Sequence, residues 1–388
     1  MDLKLAAHLQ EQFLLDSSVI YLNHGSFGAT PRPVFESYQR WQRALEAQPT
    51  EFLGRRAVDL LENSRQELAA YLGTDAKNLV YVSNATYGLN VVARSLAIGP
   101  GDEVIATNHE YGALDRTWRF LAEKQGFKYI NQTISVPVQS TEVFIDELWQ
   151  AVTPRTRVIF LSHITSPTAL IFPAAEVCRK ARQQGIITVV DGAHAPGQIP
   201  LDLDEIGADF YSGNLHKWLC APKGAAFLYA RPEWNTSIDP LVVSWGYQSD
   251  RPSASQLVDY VEWQGTRDIS AFLAVPDAIA FQRENDWDTV RADCHALTVE
   301  TVERICALSG QPPLSPLNRE WFVQMASAPL PPDINAEALH SRLYEQYRIE
   351  MPILSWNGHV LARCSFQAYN TRAHADALID ALSTIKNV

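Results

Sequence analysis

Cysteine is scarce and unpatterned in this chain of 388 residues: Cys178, Cys220, Cys294, Cys306 and Cys364 share no metal-type spacing. An odd, scattered set argues against a disulfide framework and for reduced, mostly buried thiols. Basic runs are missing too. With a formal net charge of −12, neither nucleic acid nor an anionic membrane is expected as a partner. The opening M-D-L-K-L-A-A-H-L-Q has no signal-peptide core, and no apolar run approaches transmembrane length. The expected location is the cytoplasm. Internal repeats and low-complexity segments are also absent.

What is present is a soluble globular composition on a chain long enough to bury a large core. From residue 79 short β-branched runs alternate with helical stretches: strands at 79–82, 103–107, 128–134 and 157–162, with helices between them. This alternation predicts an α/β fold with a mostly parallel sheet covered by helices. Residues 232–264 lack a clear period and read as a long irregular connection, which in a compact domain is more often functional than idle. Beyond it the chain reads as α+β: helices at 269–284, 289–308, 336–346 and 372–385, a strand at 321–326, and a hairpin turning at Asn357-Gly358. Three parts are expected: an N-terminal arm (1–30) joining the small domain, a large domain (31–265), and a small C-terminal α+β domain (266–388).

The stretch from Val189 to Tyr229 organises the rest. It reads V-V-D-G-A-H, then A-D-F-Y-S-G-N-L-H-K-W, then A-A-F-L-Y-A. These are three short strands, and two of them end close to Asp191 and Lys217, at the edge where open α/β sheets bind ligands. A lysine forms imines with aldehydes, and a buried carboxylate keeps a pyridine nitrogen protonated; together they suggest pyridoxal phosphate. Taken singly, Asp191 reads as a turn cap and Lys217 as a surface lysine. Ser83-Asn84-Ala85-Thr86, where a strand turns into a helix, reads either as a phosphate seat or as a plain N-cap.

Seven segments occur in one order along nearly the whole chain: Y-L-N-H-G-S-F-G-A-T-P (21–31), S-N-A-T-Y-G-L-N (83–90), H-E-Y-G-A (109–113), V-D-G-A-H (190–194), G-N-L-H-K-W (213–218), G-T-R-D (265–268) and A-R-C-S-F-Q-A-Y-N (362–370). On these the chain resembles the class V aminotransferase group of fold-type I pyridoxal-phosphate enzymes, and within it isopenicillin N epimerase-like proteins. The resemblance implies pyridoxal 5'-phosphate bound through a Schiff base to Lys217, with Asp191 on the ring nitrogen. It implies Ala85, Thr86, Asn214 and His216 at the phosphate, Tyr111 stacked on the ring, and His194 and Ser166 near the phenolic oxygen. Arg363 is implied at the α-carboxylate of an amino-acid substrate, with Asn23, His24 and Arg55 as further substrate contacts. Read without the resemblance, Tyr111 is equally a core tyrosine and Arg363 a strand-face arginine in a salt bridge.

The resemblance also implies a homodimer with shared active sites, Thr266 reaching the partner's cofactor phosphate. The expected reaction is epimerisation or racemisation at the α-carbon. Carbon–sulfur lysis and transamination remain open beside it, and a non-catalytic ligand-binding member of the fold is the alternative of another class. A persulfide-forming desulfurase is disfavoured, because the resemblance places the loop of its nucleophilic cysteine shortly before the Arg363 strand, and residues 310–350 contain no cysteine.

Overall fold

The computed structural model describes residues 3–385, so the ends of the expected arm and tail (1–2 and 386–388) lie outside the described residues. After a two-residue strand, β1 (Ile20–Tyr21), the strand–helix alternation builds β2 (Leu79–Val82), β3 (Glu103–Thr107), β4 (Lys128–Gln132), β5 (Thr156–Ser162), β6 (Ile187–Asp191), β7 (Phe210–Asn214) and β8 (Ala226–Ala230). These last seven form one sheet in the order β2-β8-β7-β6-β5-β3-β4. Only β8 runs against its neighbours, because the short connection after β7 turns straight back. The central strands are buried along their length, as strands covered on both faces must be. Alternate side chains supply the two faces. Ile159, Leu161 and Val190 enter one core cluster, and Val158, Phe160 and Val189 the other.

This topology carries the ends of β2, β3, β5, β6 and β7 to a single edge. The expected parallel sheet is therefore present, with one antiparallel strand near its margin.

The remaining strands are β9 (Met325–Leu330), β10 (Ile349–Glu350), β11 (Ile353–Trp356) and β12 (His359–Ser365). They make a three-stranded antiparallel sheet in the order β11-β12-β9, and a small parallel pair between β10 and β1. The hairpin turns at Asn357 (φ 45°) and Gly358 (φ 81°), as that dipeptide predicts. Two expectations shift. The strand expected at 321–326 begins four residues later and runs through Pro329, which β9 tolerates as an edge strand. The connection at 232–264 is not wholly irregular, since Ser255 caps a helix over Gln256–Val261.

The segment after β1 is clamped onto the large sheet's edge. Gly28 has φ 68°, and a Cβ there would lie 2.0 Å from the His216 carbonyl oxygen and 2.9 Å from Lys217 Cα. Both the backbone conformation and the contact demand glycine. Gly28→Ala should therefore cost more than about 2 kcal/mol of stability. Gly54→Ala, where no atom lies within 4 Å, should change stability by less than about 0.5 kcal/mol. Urea denaturation of the two variants checks this; equal midpoints would refute the packing argument.

Candidate active site

Desolvation sets the character of the edge where the strands end. Asp191 closes β6 and is 3% exposed, its Oδ1 accepting the Ala193 N–H at 2.9 Å. Among the described residues no lysine or arginine forms an ion pair with its carboxylate. Burial pushes its pKa up, against the Ala193 bond and the Lys217 charge, which pull it down. Lys217 follows β7 by three residues, and burial, then the Arg363 charge, push its amine down; Asp191 acts the other way. Both shifts favour uncharged forms. Lys217 Nζ lies 3.2 Å from His194 Nε2. Burial first, then the Lys217 charge, hold the His194 imidazole well below its ordinary pKa, so it is neutral.

The phosphate seat expected at 83–86 is a true helix start. Asn84 caps the helix Ala85–Ser95 by accepting the Tyr87 N–H at 2.8 Å. Asn214 Oδ1 accepts the Ala85 N–H at 2.9 Å. That leaves the Thr86 N–H without an intrahelical partner, as for any first-turn residue. His216 Nδ1 donates to the Ala225 carbonyl at 3.1 Å, which leaves Nε2 as the ring's acceptor. Tyr111 is no core residue: it is 45% exposed, just past β3, at the start of the helix Gly112–Gln125 and within electrostatic reach of Arg363.

Arg363, on the central strand β12, is 4% exposed. Its Nη1 donates to the Ser166 carbonyl (2.7 Å) and Oγ (3.1 Å), and its Nη2 to Ser26 Oγ (2.9 Å). Its Nε is buried without a partner, and no carboxylate neutralises it among the described residues. The strand-face salt bridge is thus excluded. Burial pushes the guanidinium down to about 10, which still leaves it charged. Ser166 braces this arginine. Asn23 holds Ser26 through Oδ1 at 2.5 Å and donates to Glu350 at 2.9 Å.

Three expected residues stand apart. His24 is fully buried, with Nε2 donating to the Lys217 carbonyl (3.0 Å) and Nδ1 facing the Tyr369 hydroxyl (2.9 Å). With both nitrogens engaged it props the lysine from behind, and it has nothing left for a substrate. Arg55 is exposed in the turn Phe52–Arg56, and Thr266 is exposed beside Gly265. Neither is brought to Lys217 within this chain.

Two residues inside the quoted segments, given no role by the sequence, belong to the site. Glu110 is buried behind the edge, accepting from Thr107 Oγ1 (2.6 Å), Ser162 N (2.9 Å) and Ser162 Oγ (2.7 Å). Trp218 donates its indole N–H to His194 Nδ1 at 3.4 Å. The signals were present only as neighbours of Tyr111 and Lys217.

A buried amine, a buried acid, an uncompensated guanidinium and an open helix start suit a ligand with an aldehyde, a basic ring nitrogen and an anionic group. The comparisons agree with that setting. The family "Aminotransferase class-V" matches residues 20–378. Isopenicillin N epimerase of Amycolatopsis lactamdurans is 36% identical over 98% of both chains. L-cysteine desulfhydrase of Arabidopsis thaliana is 28% identical over 95% of this chain and 88% of its own. Among solved structures, the cysteine desulfurase of Thermococcus onnurineus NA1 superposes with a TM-score of 0.84 at 19% identity, covering 98% of both chains.

Glu110 makes the buried edge sensitive to pH. Burial pushes its pKa up from 4.5 to about 7, helped by the Asp191 charge and opposed by the Thr107 and Ser162 bonds. A raised folded-state pKa gives stability that is present below the unfolded pKa and lost as pH rises through about 7. Glu110→Gln removes that titration. The stability of the variant minus that of the parent should therefore rise by about 1 kcal/mol between pH 6 and pH 8. Denaturation of both cofactor-free proteins at the two pH values measures it, and a constant difference would refute it.

Proposed function

The chain belongs to the aminotransferase class-V family, and from that premise we propose a pyridoxal-phosphate-dependent enzyme that inverts the α-carbon of an amino acid. The observation that carries the cofactor reading is the pair of buried, oppositely shifted groups, Lys217 and Asp191, on neighbouring strand ends. Epimerisation is favoured by the 36% identity to isopenicillin N epimerase over nearly the full length of both chains.

Bound here, pyridoxal 5'-phosphate supplies an aldehyde for the lysine amine and a ring that withdraws electrons from the α-carbon. Thr86, at the open helix start, and His216 would hold its phosphate, and Tyr111 would lie against its ring. Asp191 would keep the ring nitrogen protonated, which in turn keeps the carboxylate ionised despite burial. Arg363 would take the substrate carboxylate through the Nε that has no protein partner. Ser166 and Ser26 fix the guanidinium plane while it does so. Lys217, once released, would remove the α-proton from its own face, its burial suiting an amine that must act as a base near neutral pH, and inversion would follow from return of a proton on the opposite face.

A carbon–sulfur lyase is the second reading, supported by the desulfhydrase relative. One experiment separates the branches. The protein with its cofactor is incubated with L- and D-amino acids in deuterated water, and exchange, inversion, keto acid and sulfide are followed together. Exchange with inversion and no sulfide is expected. Lys217→Ala should lower exchange by more than about a thousandfold, whereas Lys223→Ala should retain it. Exchange that survives Lys217→Ala and is lost in Lys223→Ala would overturn the assignment.

We also propose a homodimer in which Thr266 completes the partner's site. Val243 (68% exposed) and Trp245 (86%) stand uncovered, as does Val58 (73%) on the helix Ala57–Leu72. A cavity of about 1000 Å³ runs between that helix and residues 245–263. Exposed aromatics around a cavity favour a protein partner, and Gly265-Thr266 follows directly. Thr266→Ala should loosen cofactor retention several-fold while the dimer stays assembled. Sedimentation with cofactor titration checks this; a fully loaded, active monomer would sink the proposal.

A further inference from the structure

The indole that follows the active-site lysine does more than fill space. Trp218 Nε1 lies 3.4 Å from His194 Nδ1, and Nε2 of the same imidazole lies 3.2 Å from Lys217 Nζ. An indole N–H only donates, so Nδ1 has to offer its lone pair. A neutral imidazole with a bare Nδ1 carries its proton on Nε2. That Nε2–H bonds to Nζ only when the amine has a lone pair to accept it. We infer that Trp218 is a positioning residue that locks His194 in the Nε2–H tautomer and so holds Lys217 as a neutral amine.

The surroundings leave His194 no other state. Double protonation would set an Nδ1–H against the indole N–H, and burial with the charges of Lys217 and Arg363, beside His216 and His24, opposes it. The groups acting on Lys217 are Arg363, which disfavours the ammonium, and Asp191, which favours it. With Asp191 attracting a proton to the amine, a donor at His194 Nε2 adds to burial and the Arg363 charge in countering it.

Trp218 is itself tightly packed. It is fully buried, its ring lies 4.9 Å from that of His24, and its carbonyl accepts from Gln282 Nε2 at 2.7 Å. Gly197 packs so closely that a Cβ there would lie 2.4 Å from the Trp218 carbonyl. The indole N–H is thus shielded from solvent and bonded within the fold.

The use of this neutral amine rests on the cofactor reading above, but the tautomer does not. Two measurements keep them apart. In the cofactor-free full chain labelled with ¹⁵N-histidine, His194 should show a protonated Nε2 and a bare Nδ1. A proton on Nδ1, or on both nitrogens, near neutral pH would overturn the inference. The second measurement is the rate at which added pyridoxal 5'-phosphate is captured, read by absorbance and by borohydride fixation on the Lys217 peptide. In that step Nζ bonds the aldehyde carbon and the carbonyl oxygen leaves as water, so the rate reports the neutral amine.

Trp218→Phe frees Nδ1 to take the proton and turns a lone pair toward Nζ, which stabilises the ammonium. The pH midpoint of capture should then rise by about one unit and the rate at pH 7 fall about fivefold. Capture at high pH should stay within about twofold of the parent, a pattern that general loosening of the site would not produce. An unmoved midpoint in a folded variant would overturn the inference. If the parent captures no aldehyde on Lys217 while the Nε2–H tautomer is observed, the cofactor reading fails and the positioning role stands.

Discussion

Burying an amine and two carboxylates at one sheet edge, against a guanidinium brought from the second sheet, is the constraint on which the rest of this structure depends. Each ionised group loses hydration there, and isolated charges in such a setting neutralise or find hydrogen bonds. The protein uses both routes. Lys217 and Asp191 are pushed toward their uncharged forms. Glu110 is ringed by donors from Thr107 and Ser162, and Arg363 by the oxygens of Ser166 and Ser26. Left incomplete are the atoms that a cofactor and substrate can complete, above all Arg363 Nε. Stability and reactivity are therefore set by the same desolvation.

Sheet order makes this burial possible. β5, β6 and β7 are parallel neighbours, so Ser162 stands beside Asp191, and Asp191 beside Ser212 two residues before Asn214. The lid over the edge comes from elsewhere in the chain. The segment 22–28 bonds to β12 through the Leu22 carbonyl and the Ser365 N–H, and it packs on Lys217 through Gly28. The N-terminal segment and the C-terminal sheet thus meet on the lysine from one side and on Arg363 from the other. His24 lies at that junction, its ring spent on the Lys217 carbonyl and Tyr369.

Much of this was legible in the sequence, for a definable reason. Short buried runs that end in a polar residue mark both a strand and its carboxyl end: Asp191 closes the β-branched run I-T-V-V, and Lys217 follows the strand F-Y-S-G-N by three residues. The hairpin at Asn357-Gly358 was legible because only a few dipeptides accept positive φ at both positions. What stayed hidden depends on distance in space. Glu110 reads as a polar residue in a turn until β3 and β5 become neighbours and bring Ser162 to it. His24 looks available in a glycine-rich turn, and only tertiary packing shows both nitrogens engaged. The bounds of β9 differ from the expected 321–326, since the strand runs from Met325 to Leu330 and its edge position lets Pro329 lie inside it.

The thiols bear on which chemistry the amine serves. Cys364 adjoins Arg363 in sequence, yet its Sγ faces the Ala326 carbonyl on β9 at 3.6 Å while the guanidinium reaches Ser166 and Ser26. Alternation along β12 puts them on opposite faces. Cys220 sits behind the lysine, near His24 and the Trp218 carbonyl. Burial pushes both thiols up to about 12, so neither offers a thiolate near neutral pH. A route that hands sulfur to a protein thiol therefore has no acceptor at this edge among the described residues. Chemistry at the α-carbon then falls to a proton carried by Lys217, or to a leaving group released to solvent. Both routes are compatible with the amine and the acid already buried there, and neither asks for a protein thiol.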